Sequence, residues 1–258
     1  MSTHGTPEQP VHVVLVPGFW LGAWAWDDVV PHHAAAGPRP PAAPPRPPAA
    51  RPPPPGPRRA LAPAATAADR AHVTRADHVA AVTRLIEELD GRVVLVGHSG
   101  GGPVVQEALD RDPARIERVV YVDTGPLVDG AALSPELLAD AAEVPLPTWE
   151  ELAEAGSSVA GLAEAALARV RERAVPTPGT GARGAVRVSD PRRLRVPATA
   201  VCSSIPSAVL AEMAHPGPPL HTELGEVEDL TYVDLPTGHW PMLSRPRDLA
   251  AVIVDAVS

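Results

Sequence analysis

The chain has 258 residues, of which 45% are hydrophobic, and carries a formal net charge of −9. This length suffices for one α/β domain with a sizeable core, and the acidic balance argues against nucleic acid or an anionic membrane surface as a partner. No apolar run is long enough to span a membrane, and the N-terminus lacks a signal-peptide pattern. A single cysteine, Cys202, excludes an internal disulfide framework, so we expect a cytoplasmic protein.

A buried strand is predicted near the start of the chain, over residues 12–16, where prolines at positions 10 and 17 bound an apolar run. A loop with two glycines follows, and residues 23–30 have a helical pattern. Half of the aromatic residues of the chain lie in this loop and helix: Phe19, Trp20, Trp24 and Trp26. Packing of a short helix accounts for the last two, whereas the first two are placed to line an apolar pocket.

Residues 37–65 have an unusual composition. All are Gly, Ala, Pro or Arg except Leu61, and 13 of the 34 prolines of the chain lie here. Proline at this density disfavours helices and strand ladders and favours extended polyproline II structure. A doubly wound domain needs a strand at this point, so we expect one strand of the sheet to be missing. The segment is interpreted either as a flexible insertion or as a frame-shifted stretch, poorly ordered in both cases.

The absence of two residue types favours the frame shift. The chain has no lysine and no asparagine, whose codons are rich in A, so we expect a GC-rich bacterial gene. Gly, Ala, Pro and Arg have codons that begin with two G or C bases, which a GC-rich gene read out of frame would supply. We therefore hypothesise that roughly 30 residues are frame-shifted, with the frame restored near Ala67.

Regular structure resumes at Thr74, which is spaced from Asp77 as in a helix capping box, with apolar residues at helical spacing after it. Residues 92–96, an arginine followed by four β-branched or aliphatic residues, predict a buried strand. This strand leads directly into Gly-His-Ser-Gly-Gly at residues 97–101, and a helix-compatible stretch follows. The order strand, sharp turn, helix is that of a G-x-S-x-G nucleophile elbow.

The next strand is predicted over residues 115–122, and residues 126–195 then change in character. Ser134 and Thr148 are each placed to begin a helix, the second in a full capping box, and residues 152–174 are rich in Ala, Glu and Arg. The apolar side of these helices is thin, so we expect them to lie on the body as a lid rather than form a second domain.

Two more strands are predicted, over residues 196–202 and 230–235, each followed by a helix. Strands that alternate with helices through connections of this length predict an α/β fold with a mostly parallel, doubly wound sheet. We expect a single domain over residues 1–258.

Ser99, at the elbow, is the candidate nucleophile. In such a turn the hydroxyl is lifted above the sheet edge, and the residues two before and two after must be small because strand and helix backbones nearly touch. The turn also aims the N–H of Gly100 at the place where an oxyanion would form. A second donor usually comes from the loop after the first strand, where Phe19 is the best candidate and Trp20 the alternative.

A serine hydroxyl needs a base, and the base needs an orienting acid. His239 is the candidate base, because it lies in a glycine-containing loop between the last strand and the last helix. A loop at the carboxyl edge of the sheet would bring it to the same rim as Ser99. Most other histidines have structural explanations, including His98, which occupies the variable position of the elbow.

Three motifs carry a resemblance to a known family: Val-Pro-Gly-Phe-Trp-Leu-Gly-Ala-Trp, Gly-His-Ser-Gly-Gly-Gly and Gly-His-Trp-Pro. With these motifs in this order, residues 11–36 and 72–258 resemble the α/β-hydrolase superfamily, in particular small bacterial members and plant esterase and hydroxynitrile lyase types. The resemblance implies the chain order serine, acid, histidine, and oxyanion N–H groups from Gly100 and the first loop. No cofactor and no metal are expected.

The position of the acid departs from the pattern of the family. Members usually carry an aspartate after the strand predicted here over residues 196–202, but residues 203–207 contain no carboxylate. Some members place the acid one strand earlier, where this chain has Asp123, and we take Asp123 as the candidate acid. Asp229 and Asp234 fit less well, because they lie at the start and in the interior of a strand.

These residues predict a serine hydrolase that cleaves an ester or related acyl bond of a small, apolar molecule. The substrate pocket is expected to include three tryptophans: Trp20, Trp149 and Trp240. Hydroxynitrile lyase chemistry would use the same residues. A small-molecule binding protein on the same fold, with Ser99 unused, is the alternative from another class.

Overall fold

A parallel β-sheet forms the centre of the computed structural model, which describes residues 10–35, 58–59, 73–133, 142–215, 217 and 221–257. Its strands in chain order are β1 (Val11–Val16), β2 (Arg58–Arg59), β3 (Arg92–His98), β4 (Ile116–Val122), β5 (Glu143–Val144), β6 (Thr177–Pro178), β7 (Ala198–Cys202) and β8 (Leu230–Asp234). Six of them form one sheet in the order β2-β1-β3-β4-β7-β8, with every neighbouring pair parallel. β5 and β6 form a separate antiparallel pair.

Helices connect these strands. They are α1 (Val30–Ala35), α2 (Arg75–Glu87), α3 (Gly101–Arg111), α4 (Trp149–Glu154), α5 (Glu164–Arg173), α6 (Gly179–Arg183), α7 (Ser207–Glu212), α8 (Pro241–Ser244) and α9 (Pro246–Asp255). The capping boxes predicted for α2 and α4 are both present and join Thr74 to Asp77 and Thr148 to Glu151. Caps of this type stabilise a helix by about 1 kcal/mol. None of these helices, in the described part of the chain, is long and apolar enough to cross a membrane.

The sheet separates two apolar layers, because successive side chains of a strand point to opposite faces. In β3, Val93 and Leu95 pack on one face with α2 and α3, whereas Val94 and Val96 pack on the other with α9 and the 3-10 helix Ala23–Trp26. All four β3 side chains are fully buried, and burial of each stabilises the fold by about 1.5–3 kcal/mol. The predicted doubly wound α/β fold is confirmed.

β2 corrects the prediction for residues 37–65. The sequence predicts that no strand forms there, but Arg58 and Arg59 pair in parallel with Val14 and Leu15 of β1. Residues 58 and 59 are not prolines and are not followed by one, so both have a backbone N–H group that can join a ladder. The rest of the segment lies outside the described residues, and the frame shift and the poor order stay predictions.

Residues 126–195, which we call the 126–195 segment, connect β4 to β7. Their described part contains α4, α5, α6 and the β5–β6 pair. The helical pattern predicted over residues 152–174 is divided between α4 and α5. Arg75 of α2 links the segment to the body, since its guanidinium donates to the carbonyl oxygens of Gly184 and Ala185, directly after α6.

Candidate active site

Ser99 lies at the sharp turn between β3 and α3, as predicted. Its φ of +49° falls in the left-handed region, which residues with side chains rarely adopt. Two backbone hydrogen bonds hold the turn: the Ser99 N–H donates to the carbonyl of Val122 at 3.2 Å, and the Gly102 N–H donates to that of Ser99 at 2.8 Å. Because a strained backbone persists only where its surroundings fix it, the serine has a defined position at the sheet edge.

The two elbow glycines that must be small lie in tight contacts. A Cβ on Gly97 would lie 2.6 Å from Cγ2 of Val105, and a Cβ on Gly101 would lie 2.5 Å from the carbonyl oxygen of Val16. Both distances are far below van der Waals contact. The close approach of β1, β3 and α3 therefore requires glycine at both positions.

The structure brings His239 and Asp123 together from separate loops. Asp123 follows β4, His239 lies between β8 and α8, and Nδ1 of His239 is 2.6 Å from Oδ2 of Asp123. The exposed fractions of the two side chains are 12% and 5%. A short hydrogen bond shielded from water in this way fixes the orientation of the imidazole ring.

The loop after β7 binds Asp123 and has no carboxylate at residues 203–207. The two residues that follow β7, Ser203 and Ser204, donate their backbone N–H groups to Oδ1 of Asp123 at 3.2 and 2.8 Å. The Ser204 hydroxyl donates to Oδ2 at 2.7 Å. The loop in which the sequence lacks an acid therefore binds the acid supplied by the neighbouring strand.

The two alternative acids lie elsewhere. Asp234 accepts hydrogen bonds from the N–H and hydroxyl of Ser207 at 2.8 and 2.6 Å, and so holds the start of α7. Asp229 precedes β8, at the opposite end of that strand from the His239 loop. Of the candidate acids, Asp123 is the one that contacts His239.

The electrostatics of the pair define the protonation state of Asp123. Burial raises the pKa of the Asp123 carboxyl. The hydrogen bond and charge of His239, together with the donors of Ser204, lower it by more than burial raises it, so the pKa lies below its ordinary value of 3.8. The carboxylate is ionised at neutral pH and can only accept. Nδ1 of His239 therefore carries the shared proton, so that Nε2 is the nitrogen with the lone pair in the neutral ring, as a general base requires.

The structure distinguishes the two candidates for the second oxyanion donor. The Trp20 N–H donates to Oγ1 of Thr177 at 3.0 Å and is thereby occupied. The N–H groups of Phe19 and Gly100, in contrast, have no hydrogen-bond partner among the described residues. The two residues touch, because a Cβ on Gly100 would lie 2.4 Å from carbons of the Phe19 ring. Phe19 rather than Trp20 is therefore the candidate donor.

A cavity of about 680 Å³ opens at this edge of the sheet. The residues predicted for the site that line it are Phe19, Trp20, Ser99, Asp123 and His239. Most of the remaining wall is apolar and comes from the body and from the 126–195 segment, including Leu127, Val144, Leu152, Ile205 and Leu224. Gly100 is not among the described lining residues. Nor is there, in the described part of the chain, a group of three or more His, Cys, Asp or Glu side chains that could hold a metal ion.

Ser99 and His239 share this cavity without a hydrogen bond between their side chains in the described structure. Hydrogen bonds between catalytic groups are often long in free enzymes and tighten when substrate binds. A transfer of the Ser99 proton to Nε2 of His239 would require the two side chains to approach each other in a complex with substrate.

Trp149 and Trp240, which the sequence places in the pocket, are not among the described residues that line the cavity. Trp240 is 2% exposed and packs edge to face on Trp149, with ring centroids 6.4 Å apart. Arg171 packs over Trp149, with its guanidinium carbon 4.8 Å from the centre of the ring. Trp240 belongs to the hydrophobic core, and the partly buried Trp149 packs against that core.

His98, which occupies the variable position of the elbow, contacts the candidate base His239. Its Nε2 lies 2.8 Å from the backbone carbonyl oxygen of His239, and the two rings lie 4.9 Å apart. Since a carbonyl oxygen can only accept, Nε2 of His98 carries the proton. Burial, and then the charge of His239, lower the pKa of His98 to about 3, so the ring is neutral. The sequence signal for this contact is the position of His98 directly before Ser99.

The fold and the site together define a class. A parallel sheet with a serine at the strained turn after a central strand, and a histidine from the loop after the last strand, is the arrangement of α/β-fold serine hydrolases. The model of the Alpha/beta hydrolase family matches residues 13–252. The chain belongs to this family. A search of curated protein sequences returned no match.

Several solved structures share the fold. An extracellular alpha/beta-hydrolase from a Paenibacillus species superposes with a TM-score of 0.63 at 19% identity and covers 96% of this chain and 99% of its own. A methylesterase from Arabidopsis gives a TM-score of 0.66 at 19% identity, covering 96% and 98%. Polyneuridine aldehyde esterase gives 0.63 at 18% identity, covering 97% and 100%.

Proposed function

We propose that the protein hydrolyses an ester or related acyl bond of a small, apolar molecule through an acyl-enzyme intermediate. The observation that carries the proposal is the 2.6 Å hydrogen bond between Nδ1 of His239 and Asp123 at the wall of a cavity that Ser99 also lines. The pair leaves the second imidazole nitrogen free to accept the proton of a serine hydroxyl. Two of the solved structures with this fold are also esterases.

In the first half of the reaction, Oγ of Ser99 adds to the carbonyl carbon of the substrate while Nε2 of His239 takes the hydroxyl proton. The carbonyl π electrons move onto oxygen, and the N–H groups of Phe19 and Gly100 stabilise the resulting oxyanion. The ionised Asp123 stabilises the imidazolium. Collapse of this intermediate expels the alcohol, which takes the proton from His239, and leaves the acyl group on Ser99.

In the second half, His239 takes a proton from a water molecule whose oxygen adds to the acyl carbon. The new tetrahedral intermediate collapses, the carboxylic acid leaves, and the proton returns to Oγ of Ser99. The apolar wall supplied by Leu127, Val144 and Leu152 would hold the hydrocarbon part of the substrate by burying it from water.

Hydrolysis of para-nitrophenyl esters of graded acyl length tests the proposal. We expect hydrolysis by the wild-type protein, with a maximum in kcat/KM at the acyl length that fills the cavity, and a loss of roughly 10⁴-fold or more in kcat for Ser99→Ala. Ser203→Ala is the control, because this buried serine beside Asp123 contributes its backbone rather than a hydroxyl to the pair. Folded wild-type protein that hydrolyses no ester, or a Ser99→Ala variant that retains the rate, would contradict the proposal.

A further inference from the structure

The 126–195 segment holds the oxyanion loop through Trp20. The Trp20 N–H donates to Oγ1 of Thr177 on β6, and the Trp20 indole N–H donates to the carbonyl of Val144 on β5, both at 3.0 Å. Val175, just before β6, donates its N–H to the Trp20 carbonyl at 2.9 Å. Val144 and Thr177 are partners in the β5–β6 ladder, so one small antiparallel pair binds the backbone and side chain of a single residue.

Trp20 needs such support because its backbone is strained. The Leu21 N–H donates to the Gly18 carbonyl at 3.3 Å and closes a four-residue turn in which Trp20 is third, with a φ of +61°. A positive φ at the third position of a turn favours glycine, and a larger residue there strains the backbone. The hydrogen bonds that Trp20 makes with β5 and β6 therefore stabilise a strained conformation that the isolated loop would not keep.

Phe19 is the residue directly before Trp20 in this turn. The peptide group that joins them carries the Trp20 N–H, which donates to Thr177. This hydrogen bond therefore restricts the backbone rotation that sets the direction of the Phe19 backbone. Geometry matters steeply here, since displacing a reacting or stabilising group by about 1 Å can cost roughly 100-fold in rate.

We propose that Thr177 is a positioning residue for the oxyanion hole: its hydroxyl fixes the Trp20 peptide and thereby aims the Phe19 N–H at the developing oxyanion. This inference rests on the proposed hydrolase function. Thr177 is 8% exposed and is not among the described residues that line the cavity with Ser99. Its effect is therefore on the stabilisation of the transition state rather than on contact with the substrate.

Thr177→Val removes the hydroxyl at nearly constant size and tests the inference. We expect kcat for a para-nitrophenyl ester to fall by about tenfold to 100-fold, with KM changed less than about twofold, because complete loss of an oxyanion donor costs about 10²–10³ in kcat. The affinity for an alkyl boronic acid, whose tetrahedral adduct with Ser99 places an oxygen in the hole, should fall in parallel. Thr180→Val is the matched control, since the Thr180 hydroxyl donates to the carbonyl of Val73 instead.

Thr177→Ala and Thr177→Ser extend the test if the valine variant does not fold. They lack the same methyl group and differ by one hydroxyl, so we expect Thr177→Ser to keep most of the wild-type kcat and Thr177→Ala to lose it. Equal kcat in these two variants, or a loss confined to KM, overturns the inference while Ser99-dependent hydrolysis by the wild type leaves the proposed function standing. A wild-type protein without hydrolysis or boronate binding overturns both.

Discussion

Trp20, Ser99 and Asp123 share a backbone conformation that is rare for residues with side chains. Their φ angles are +61°, +49° and +49°, and they are three of the four non-glycine residues with positive φ in the described structure. Each such residue costs about 1–3 kcal/mol, which neighbouring contacts must offset. At each of the three, hydrogen bonds from other parts of the chain hold the backbone. The backbones of these three cavity-lining residues are thus held in place before a substrate arrives.

Asp123→Asn tests the role of the acid. An amide in place of the carboxylate can donate to Nδ1 of His239, which would favour the tautomer with the proton on Nε2 and so remove the base. We expect kcat to fall by about 10⁴-fold, with little change in the fold, as measured by ester hydrolysis and circular dichroism.

Asp234→Asn is the control for that substitution, because Asp234 is bound to Ser207 on the surface and not to His239. Its kcat should stay within about twofold of the wild type, since a surface change away from the site usually has a small effect. A similar loss of activity in the two variants would contradict the assignment of Asp123.

His98 connects the elbow to the loop of the base. Its Nε2 proton is bound by the His239 carbonyl, while Nδ1 is buried with no hydrogen-bond partner among the described residues. Burial and the neighbouring His239 lower the pKa of His98 from 6.5 to about 3. The unfolded chain therefore takes up a proton at this residue below about pH 6.5, whereas the folded protein does not until about pH 3.

A pH dependence of stability follows from this difference. His98 contributes its full stabilisation above pH 6.5, and the contribution decreases as the pH falls toward 3. Between about pH 7 and pH 5, we expect the wild type to lose about 2 kcal/mol more free energy of unfolding than His98→Asn, which cannot titrate. Urea unfolding at the two pH values measures this, and equal losses in the two proteins would show that His98 titrates normally.

At the scale of elements, the elbow depends on the close approach of β1, β3 and α3. The space for a side chain at Gly101 is filled by the carbonyl oxygens of Val16 and Pro17, at 2.5 and 2.8 Å from a Cβ placed there. These are backbone atoms of a buried strand and the loop after it, so they cannot move without shifting β1. The elbow and the oxyanion loop are consequently packed as one unit.

Gly101→Ala should destabilise the fold and disturb the site together. We expect the free energy of unfolding to fall by about 1–3 kcal/mol, because the methyl group forces strand and helix apart. In Gly181→Ala, the control within α6, the nearest atom to the new Cβ is the Arg75 nitrogen at 4.0 Å. Since alanine is the better helix former, Gly181→Ala should be neutral or stabilise by up to about 1 kcal/mol. Thermal unfolding compares the two, and equal stability would contradict the packing argument.

The 126–195 segment also binds the loop of the base. The His239 N–H donates to the carbonyl of Ser158 at 2.7 Å, and the Gly238 N–H donates to that of Ala160 at 2.9 Å. A Cβ on Gly238 would lie 2.3 Å from the Ser158 oxygen, so the two backbones touch. The segment predicted as a lid therefore contacts both the oxyanion loop and the histidine loop.

Local patterns were sufficient to predict some parts of the site. The elbow requires a strand, small residues and a helix in sequence, and all of these are visible around Ser99. The acid was harder to predict, because the loop after β7 lacks a carboxylate and the contact between Asp123 and Ser204 joins positions 81 residues apart. The contacts of His98 with His239 and of Trp20 with Thr177 span 141 and 157 residues, and no local pattern encodes them.

For the molecule as a whole, the net charge of the chain is negative, and so are the charged side chains that line the cavity. The net charge is −9, and the described residues that line the cavity include Asp123 and Glu151 but no arginine. A substrate carboxylate would lose its hydration in the cavity without gaining a cationic partner there, which is unfavourable. We therefore expect the site to favour neutral molecules.

Two ester substrates of similar size test this preference. We expect kcat/KM for para-nitrophenyl hemisuccinate, an anion, to be at least about tenfold below that for para-nitrophenyl butyrate, which is neutral. Added salt should reduce the part of the difference that arises from long-range repulsion. Equal kcat/KM values for the two esters would show that a cation reaches the bound substrate.

The central claim is that His239, oriented by Asp123, activates Ser99 for attack on a carbonyl group. Labelling with a fluorophosphonate probe, followed by mass spectrometry of the intact protein and its peptides, tests it most directly. We expect one phosphonyl group per wild-type chain, attached to Ser99, no adduct in Ser99→Ala, and labelling slowed by several orders of magnitude in His239→Ala. Folded wild-type protein that takes up no label, or labelling that persists at the same rate without His239, would contradict the account.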